Sequence, residues 1–182
     1  MLFRSGSAQV AGLRTDQITK LESDDLRAIG TGVISKFTTD QFAALTSDQV
    51  AVLTTAQVAA LATTPANQLG ALSTDDVRAL TTAQAAALTS SQVKGLSTDQ
   101  MAKLETDDLR AINTGAIKAL GTDQIAALNS DQMGALTTAQ VSALTTTQVA
   151  GLQTDDLNAL VSDQIRVLSS AQVGALSTDQ IK

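Results

Sequence analysis

Four pairs of adjacent aspartates are the side chains of this sequence best suited to bind a metal ion. Clustered carboxylates are the ligands that Ca²⁺ prefers, which makes all eight residues candidate calcium ligands. The alternative is structural, because an acidic residue in the first turn of a helix interacts favourably with the helix dipole. Adjacent helical residues point apart and no glycine-bracketed ligand loop follows a pair, so we favour the structural interpretation and assign no metal site. The pairs are Asp24-Asp25, Asp75-Asp76, Asp107-Asp108 and Asp155-Asp156.

The composition excludes most catalytic chemistry. The 182 residues include no His, Cys, Trp or Tyr, so imidazole bases, thiolate nucleophiles and the zinc sites built from them cannot form. The sequence also contains no phosphate-binding GxGxxG or Walker motif. We therefore predict that the protein is not an enzyme and has neither catalytic residues nor a cofactor.

Charge and hydropathy exclude two kinds of partner. The net charge of −6 and the pI of about 4.4 provide no basic surface for nucleic acid. No apolar run approaches the roughly 18 residues that a membrane span requires. We expect neither a nucleic-acid partner nor membrane insertion.

An eight-residue repeat organises the whole chain, as one repeat domain over residues 1–182. Its consensus is Leu-Thr-Thr-Asp-Gln-Val-Ala-Ala, and the positions are called first to eighth below. About 22 units follow one another, and the step between first positions is eight except from Leu61 to Leu72. The large apolar first residues lie at positions 13, 21, 29, 37, 45, 53, 61, 72, 80, 88, 96, 104, 112, 120, 128, 136, 144, 152, 160, 168 and 176.

A duplication lies over the octads. Residues 13–95 and 96–175 form two blocks of ten octads, and a three-residue insertion near 62–64 interrupts the first block only. The insertion marks either an interface, a lengthened loop or a neutral change. Because the duplicated unit has ten octads, we expect one superhelical turn or one assembly unit to contain ten.

The octad chemistry predicts very short helices. A Ser or Thr followed three residues later by Gln is a capping box, and helix-favouring Gln-Val-Ala-Ala-Leu follows it. We predict an all-α solenoid, a superhelix of about 22 short capped helices of five to seven residues, one for each octad. Thr64 and Pro65 are expected to be the N-cap and first residue of one helix, and the fifth-position Gln side chains are expected to form a ladder between neighbouring units. A single long helix and a β-solenoid are the weaker alternatives.

Two octads lose the Asp-Gln pair at equivalent places in the two blocks. They are residues 29–36 and 112–119. A bend, a hinge or a docking face would explain them, and so would drift that the duplication copied.

The octads resemble those of known repeat regions. Leu136–Ala143 (LTTAQVSA) and its neighbours resemble the LTTAQVAAL-type runs of large bacterial surface or exported proteins over the whole chain. Leu45–Leu53 and Leu96–Leu104 also resemble the opening helix of a transcription activator-like effector repeat, but only over about eight residues and without its base-reading loop. The first resemblance implies a spacer or surface scaffold, with the cell surface or exterior of a bacterium slightly favoured over the cytoplasm.

Two functions are compatible with these features. The first is a non-enzymatic scaffold, stalk or self-assembling filament or ring subunit, which associates with itself through uncapped ends or neighbouring repeats, because Ser177–Ile181 is ordinary octad sequence without a polar cap. The alternative is a binding module whose solenoid surface holds a peptide, a glycan or Ca²⁺.

Overall fold

The computed structural model describes residues 12–64 and 67–181, and within these ranges the chain is helical and contains no strand. Each α-helix has four to six residues, slightly fewer than the five to seven expected. In chain order the helices are α1 (Thr15–Ile18), α2 (Ser23–Ala28), α3 (Thr31–Ile34), α4 (Thr39–Ala43), α5 (Ser47–Ala51), α6 (Thr55–Ala59), a 3₁₀ helix (Leu69–Ala71), α7 (Thr74–Arg78), α8 (Thr82–Ala86), α9 (Ser90–Lys94), α10 (Thr98–Met101), α11 (Thr106–Ala111), α12 (Thr114–Ala119), α13 (Thr122–Ala126), α14 (Ser130–Ala135), α15 (Thr138–Ala143), α16 (Thr146–Ala150), α17 (Thr154–Ala159), α18 (Ser162–Arg166) and α19 (Ser170–Gly174).

Three octads make one turn of the solenoid. Helices pack against the third helix before and after them in the chain, as α9 does against α12, and α12 against α15. The helices therefore stack in three columns, and the predicted all-α solenoid is confirmed. Column A contains α1, α4, the 3₁₀ helix, α9, α12, α15 and α18; column B contains α2, α5, α7, α10, α13, α16 and α19; column C contains α3, α6, α8, α11, α14 and α17.

The turn of three octads overturns the expectation that ten octads make one turn. Ten is not a multiple of three, so a duplicated octad does not return to the column of its counterpart. Asp25 lies in column B, for example, whereas its duplicate Asp108 lies in column C.

The second residue of the octad caps the helix, and the next octad ends it. In α5 the Thr46 hydroxyl accepts from the backbone N–H of Gln49, while the Gln49 side chain accepts from the N–H of Thr46. The capping residue has extended backbone geometry (φ −84°, ψ 159° at Thr46). Because the second residue of the following octad must be extended as well, the helix cannot continue for more than about one and a half turns.

The first and sixth positions build one continuous apolar core. Val50 is completely buried and Leu53 is 5% exposed, and the same two positions are buried in nearly every octad between α4 and α17. A sixth-position residue and the first residue of the next octad are three residues apart and share one helix face. The phenyl rings of Phe37 and Phe42 occupy the first and sixth positions of one octad and meet edge to face, with centroids 6.2 Å apart.

Fifth-position glutamines join each turn to the turn before it, as the sequence predicts. The Gln140 side-chain oxygen accepts from the N–H of Thr137, its own helix cap, at 2.8 Å. Its side-chain nitrogen donates to the carbonyls of Leu109 and Ile112, both at 2.8 Å. These acceptors lie 31 and 28 residues earlier in the chain. We call this repeated set of contacts the Gln ladder; its donors to the preceding turn are Gln41, Gln49, Gln57, Gln68, Gln84, Gln92, Gln100, Gln124, Gln132, Gln140, Gln148, Gln164, Gln172 and Gln180.

The inserted segment keeps the ladder but loses the α-helix. Gln68 takes the fifth position, accepting from the N–H of Ala62 and donating to the carbonyls of Ile34 and Phe37. The helix of this unit is a 3₁₀ turn that begins at Leu69. The prediction that Thr64 caps an α-helix is therefore wrong, because the extra residues lie between the capping N–H and its Gln; Pro65 lies outside the described residues.

The ladder predicts a large effect for a nearly isosteric substitution. Gln140→Met should lower the free energy of unfolding by about 2–4 kcal/mol, because it leaves buried backbone groups on two turns without partners. Chemical denaturation measures the change. Gln17→Met is the control, because the exposed Gln17 bonds only the N–H of Arg14 within its own unit. An equal loss in both variants would show that the contacts between turns contribute little.

Candidate functional site

The two members of each aspartate pair face different surroundings. Asp75, Asp107 and Asp155 occupy the fourth position and are exposed, whereas the residues that follow them occupy the fifth position and are buried. In the first pair, Asp24 is exposed and Asp25 is half-buried. The carboxylates of a pair therefore diverge. In the described ranges, no three acidic side chains come together in a way that could hold a metal ion.

Two of the buried aspartates reverse the direction of the ladder contact. A carboxylate can accept from the helix cap as Gln does, but it has no N–H to donate to the preceding turn. Asp76 instead accepts from the hydroxyl of Ser47, and Asp108 accepts from the hydroxyl of Thr82, at 2.8 and 2.9 Å. Both hydroxyls belong to the third position of the octad below. In these two octads the lower turn therefore supplies the donor and the upper turn the acceptor, the reverse of the Gln ladder.

Burial changes the acidity of Asp108. It raises the pKa of the Asp108 carboxyl above its ordinary value, and the charges of Glu105 and Asp107 act in the same direction. The hydrogen bond from Thr82 opposes the increase. The ionised form is thus less favourable in the folded chain than in water.

Asp156 has no comparable donor from below. One of its oxygens accepts from the N–H of Gln153 at 3.0 Å, its own helix cap. Ser130 occupies the place of Ser47 and Thr82, yet it donates no hydrogen bond to Asp156. Burial raises the pKa of Asp156, and the charge of Asp155 also favours the protonated form.

The octad at 112–119 keeps its ladder contact through a different residue. The fifth position is Ala116, but Asn113 at the second position accepts from the N–H of Ala116 at 2.9 Å and donates to the carbonyl of Leu88 at 3.2 Å. Leu88 lies 28 residues before Ala116, so it is the acceptor that a fifth-position Gln would use. The helix α12 packs normally against α9 and α15, which favours drift with compensation over a hinge.

The other degenerate octad, 29–36, belongs to the first described turns. Its helix α3 starts after Gly30, which provides no side-chain cap, and its fifth residue is the half-buried Val33. The helix still packs against α6 above it. The contact of this octad with the next turn is therefore like that of other octads. Its departures from the consensus are at the second and fifth positions, which form the cap and the ladder contact elsewhere.

The three-octad turn sorts the exposed fourth-position acids into rows, which we call the Asp rows. In column B, five consecutive turns of the solenoid have an Asp at the fourth position. In column C, four consecutive turns have one, and the last of these residues lies in the octad that follows α19. The matching positions in the middle of column A are neutral: Asn67, Ser91, Gly115 and Ala139. The row on column B is Asp24, Asp48, Asp75, Asp99 and Asp123; the row on column C is Asp107, Asp131, Asp155 and Asp179.

Two surface cavities lie beside the duplicated Lys-Leu pair of the two blocks. One, of about 420 Å³, is lined by Leu13, Gln17, Lys20 and Leu21 among others. The second, of about 240 Å³, is lined by Lys103 and Leu104, the duplicates of Lys20 and Leu21, and by an ion pair between Arg78 and Glu105 at 3.2 Å. Lys, Glu, Asp and amide groups surround them, and neither cavity holds a nucleophile paired with a base.

The last described turn exposes apolar side chains that are buried elsewhere. Ile165, Val173 and Ile181 are 45%, 50% and 67% exposed, although they occupy the sixth position, which is completely buried in α5 to α9. These three side chains define a surface of the last described turn that we call the end face. The ladder register also predicts that the carbonyls of Leu160, Leu168 and Leu176 point to this side. None of the described helices is long and apolar enough to span a membrane.

Comparison with known proteins identifies the repeat. A family model described as the ALTTAQ repeat matches residues 18–55, 69–104, 101–138 and 149–182, which together exceed half of the chain. No curated protein matches this chain.

The compensation by Asn113 can be tested by restoring the consensus. Asn113→Ala should cost about 1–3 kcal/mol of stability, because the N–H of Ala116 and the carbonyl of Leu88 both lose a partner. The double variant Asn113→Thr with Ala116→Gln should recover most of the loss, since it rebuilds the capping box and ladder contact of the other octads. Thermal unfolding measures both. Failure of the double variant to recover would show that this octad differs in more than its donor.

Proposed function

Since the chain belongs to the ALTTAQ repeat family, we propose that it is a non-enzymatic structural rod that serves as a scaffold or stalk. The observation that carries the proposal is the uniform register of the Gln ladder, in which each turn bonds the turn before it through the same two acceptors. A chain built in this way grows along one axis in proportion to its number of octads. The octad resemblance to bacterial surface and exported proteins supports a spacer role outside the cell.

The rod shape has a measurable consequence. Packed helices lie about 8–10 Å apart, and six steps separate α1 from α18 in column A, so this column spans about 50–60 Å. A compact chain of this length would have a radius of gyration of about 16 Å. Small-angle scattering should therefore give a clearly larger radius of gyration and an asymmetric distance distribution. A radius near the compact value would contradict the rod.

The end face supports a further part of the proposal, which is association of rods end to end. Ile165 and Val173 on one copy would be covered by the first described turn of the next, where Leu13 and Leu21 are incompletely buried. Such a head-to-tail contact is heterologous and builds filaments or rings rather than closed dimers.

End-to-end association predicts a mass that depends on concentration. The average mass should rise above 18.7 kDa as the protein is concentrated, and Val173→Glu should abolish the rise, because it places a charge in an apolar contact. Ala171→Glu is the matched control, since it adds the same charge to an exposed position of the same helix. Light scattering behind size exclusion measures the mass. A constant 18.7 kDa for the unsubstituted chain would contradict the association and leave the rod itself untouched.

The Asp rows favour a second candidate function, a binding module for an extended basic peptide. Successive carboxylates of a row belong to helices about 8–10 Å apart, which is too far for two of them to share one Ca²⁺ at ligand distances of about 2.3–2.6 Å. A flexible Lys- or Arg-rich peptide can place one cation beside each carboxylate. Calcium is the less suitable ligand.

Oligolysine distinguishes this candidate. The triple variant Asp48→Asn, Asp75→Asn, Asp99→Asn should weaken binding of labelled oligolysine at low salt several-fold more than Asp16→Asn, Asp40→Asn, Asp163→Asn, which removes the same charge from the two ends of column A and leaves both rows intact. Fluorescence anisotropy measures binding, and the affinity should fall with added salt. Equal weakening by both triples would show that only net charge matters. A midpoint of thermal unfolding unchanged by millimolar Ca²⁺ is expected as well.

A further inference from the structure

Asp156 occupies the fifth position of its octad. In the Gln ladder, the side chain at this position donates hydrogen bonds to carbonyls of the preceding turn. The ladder register places the carbonyls of Ile125 and Leu128, 31 and 28 residues earlier, opposite the fifth position of α17. Asp156 is 6% exposed, and the described hydrogen bond of its carboxyl uses one oxygen only, for the N–H of Gln153. The second oxygen receives no hydroxyl from the octad below, in contrast to the oxygens of Asp76 and Asp108.

Among the described residues, no cation lies opposite this carboxyl. The charged side chains on the described elements around it are all acidic: Asp155 on α17, Asp131 on α14 below, and Asp179 in the turn above, whose backbone accepts from Thr154. An ionised carboxylate at this place has one described donor, the N–H of Gln153, and can donate nothing to the carbonyls of the preceding turn. A protonated carboxyl presents one O–H donor to the same carbonyls.

We propose that Asp156 is a proton-operated lock between two turns of the solenoid. When the carboxyl takes up a proton from solvent, its O–H donates to the carbonyl of Leu128 and completes the ladder between α17 and the corner before α14. When the proton leaves, this bond is lost and the carboxylate keeps the N–H of Gln153 as its described donor. The lock does not depend on what the rod binds or on whether rods associate.

The direction of the pH dependence follows from proton linkage. The folded chain holds the Asp156 proton more tightly than the unfolded chain does, since burial raises the pKa. Stability from this group therefore increases as pH falls through the raised pKa toward the ordinary carboxyl value, and it is lost as pH rises. Within that window the unfolding equilibrium constant should change by up to about tenfold per pH unit.

Asp156→Asn tests the lock, because it supplies a permanent donor that does not titrate. At pH 7.5 this variant should be more stable than the unsubstituted chain, and the difference should shrink as pH falls until the two coincide near pH 4. Asp155→Asn is the matched control, which removes the same charge from an exposed neighbour and should keep most of the pH dependence, because burial is the larger cause of the raised pKa of Asp156. Urea denaturation across this pH range measures all three. A difference between Asp156→Asn and the unsubstituted chain that is constant with pH would overturn the proposal.

Carbon-13 NMR of the side-chain carboxyls provides an independent readout on the unsubstituted chain. The titration midpoint of Asp156 should lie above the ordinary value of an aspartate carboxyl. The amide resonances of residues 128–130 should shift with the Asp156 midpoint, because the new O–H bond ends on the Leu128 carbonyl. A midpoint at or below the ordinary value, or amides that follow another titration, would also overturn the lock.

Discussion

The structure depends on one side-chain amide that serves three backbone groups at once. A helix of four to six residues leaves nearly all of its N–H and C=O groups without partners inside the helix, so short helices in series would bury many unsatisfied groups. The carboxamide of Gln140 accepts from the N–H of its own cap and donates to two carbonyls at the end of an earlier helix. Repetition of this contact replaces the hydrogen bonds that helix length provides elsewhere.

The sequence contains most of this local chemistry. Thr46 and Gln49 are three residues apart because both take part in one capping box, and the sixth-position and next first-position residues are three apart because they share a buried face. The number of octads in a turn is not written in a period of eight. It depends on the angle between successive helices, which the backbone at each corner determines. The ten-octad duplication therefore suggested a wrong number of octads in one turn of the solenoid.

The aspartate pairs and the degenerate octads have features that the octad pattern alone does not predict. Asp155 and Asp156 are neighbours of the same type, but the fifth position faces the preceding turn and the fourth faces solvent. That distinction requires the column arrangement. The role of Asn113 is equally hidden, because it depends on a carbonyl 25 residues away. A signal was present in the sequence, however, since Asn appears at the capping position in the octad whose fifth residue is Ala.

The same constraint decides where variation can carry function. Residues at the first and sixth positions pack in the core, the second residue caps the helix, and the fifth bonds the preceding turn. A change at one of these positions must therefore be compensated, as Asn113 compensates for Ala116. The fourth position takes no part in the core or the ladder and is exposed in most octads, so it is less constrained than these positions, although Asn67 there bonds the carbonyl of Gly95 in the next turn. The acids at this position look evenly scattered along the sequence, yet the turn of three octads places them in rows on columns B and C and leaves the middle of column A neutral. The charge difference between the faces of the rod therefore comes from the fourth position of the octad, which folding constrains less than the core, cap and ladder positions.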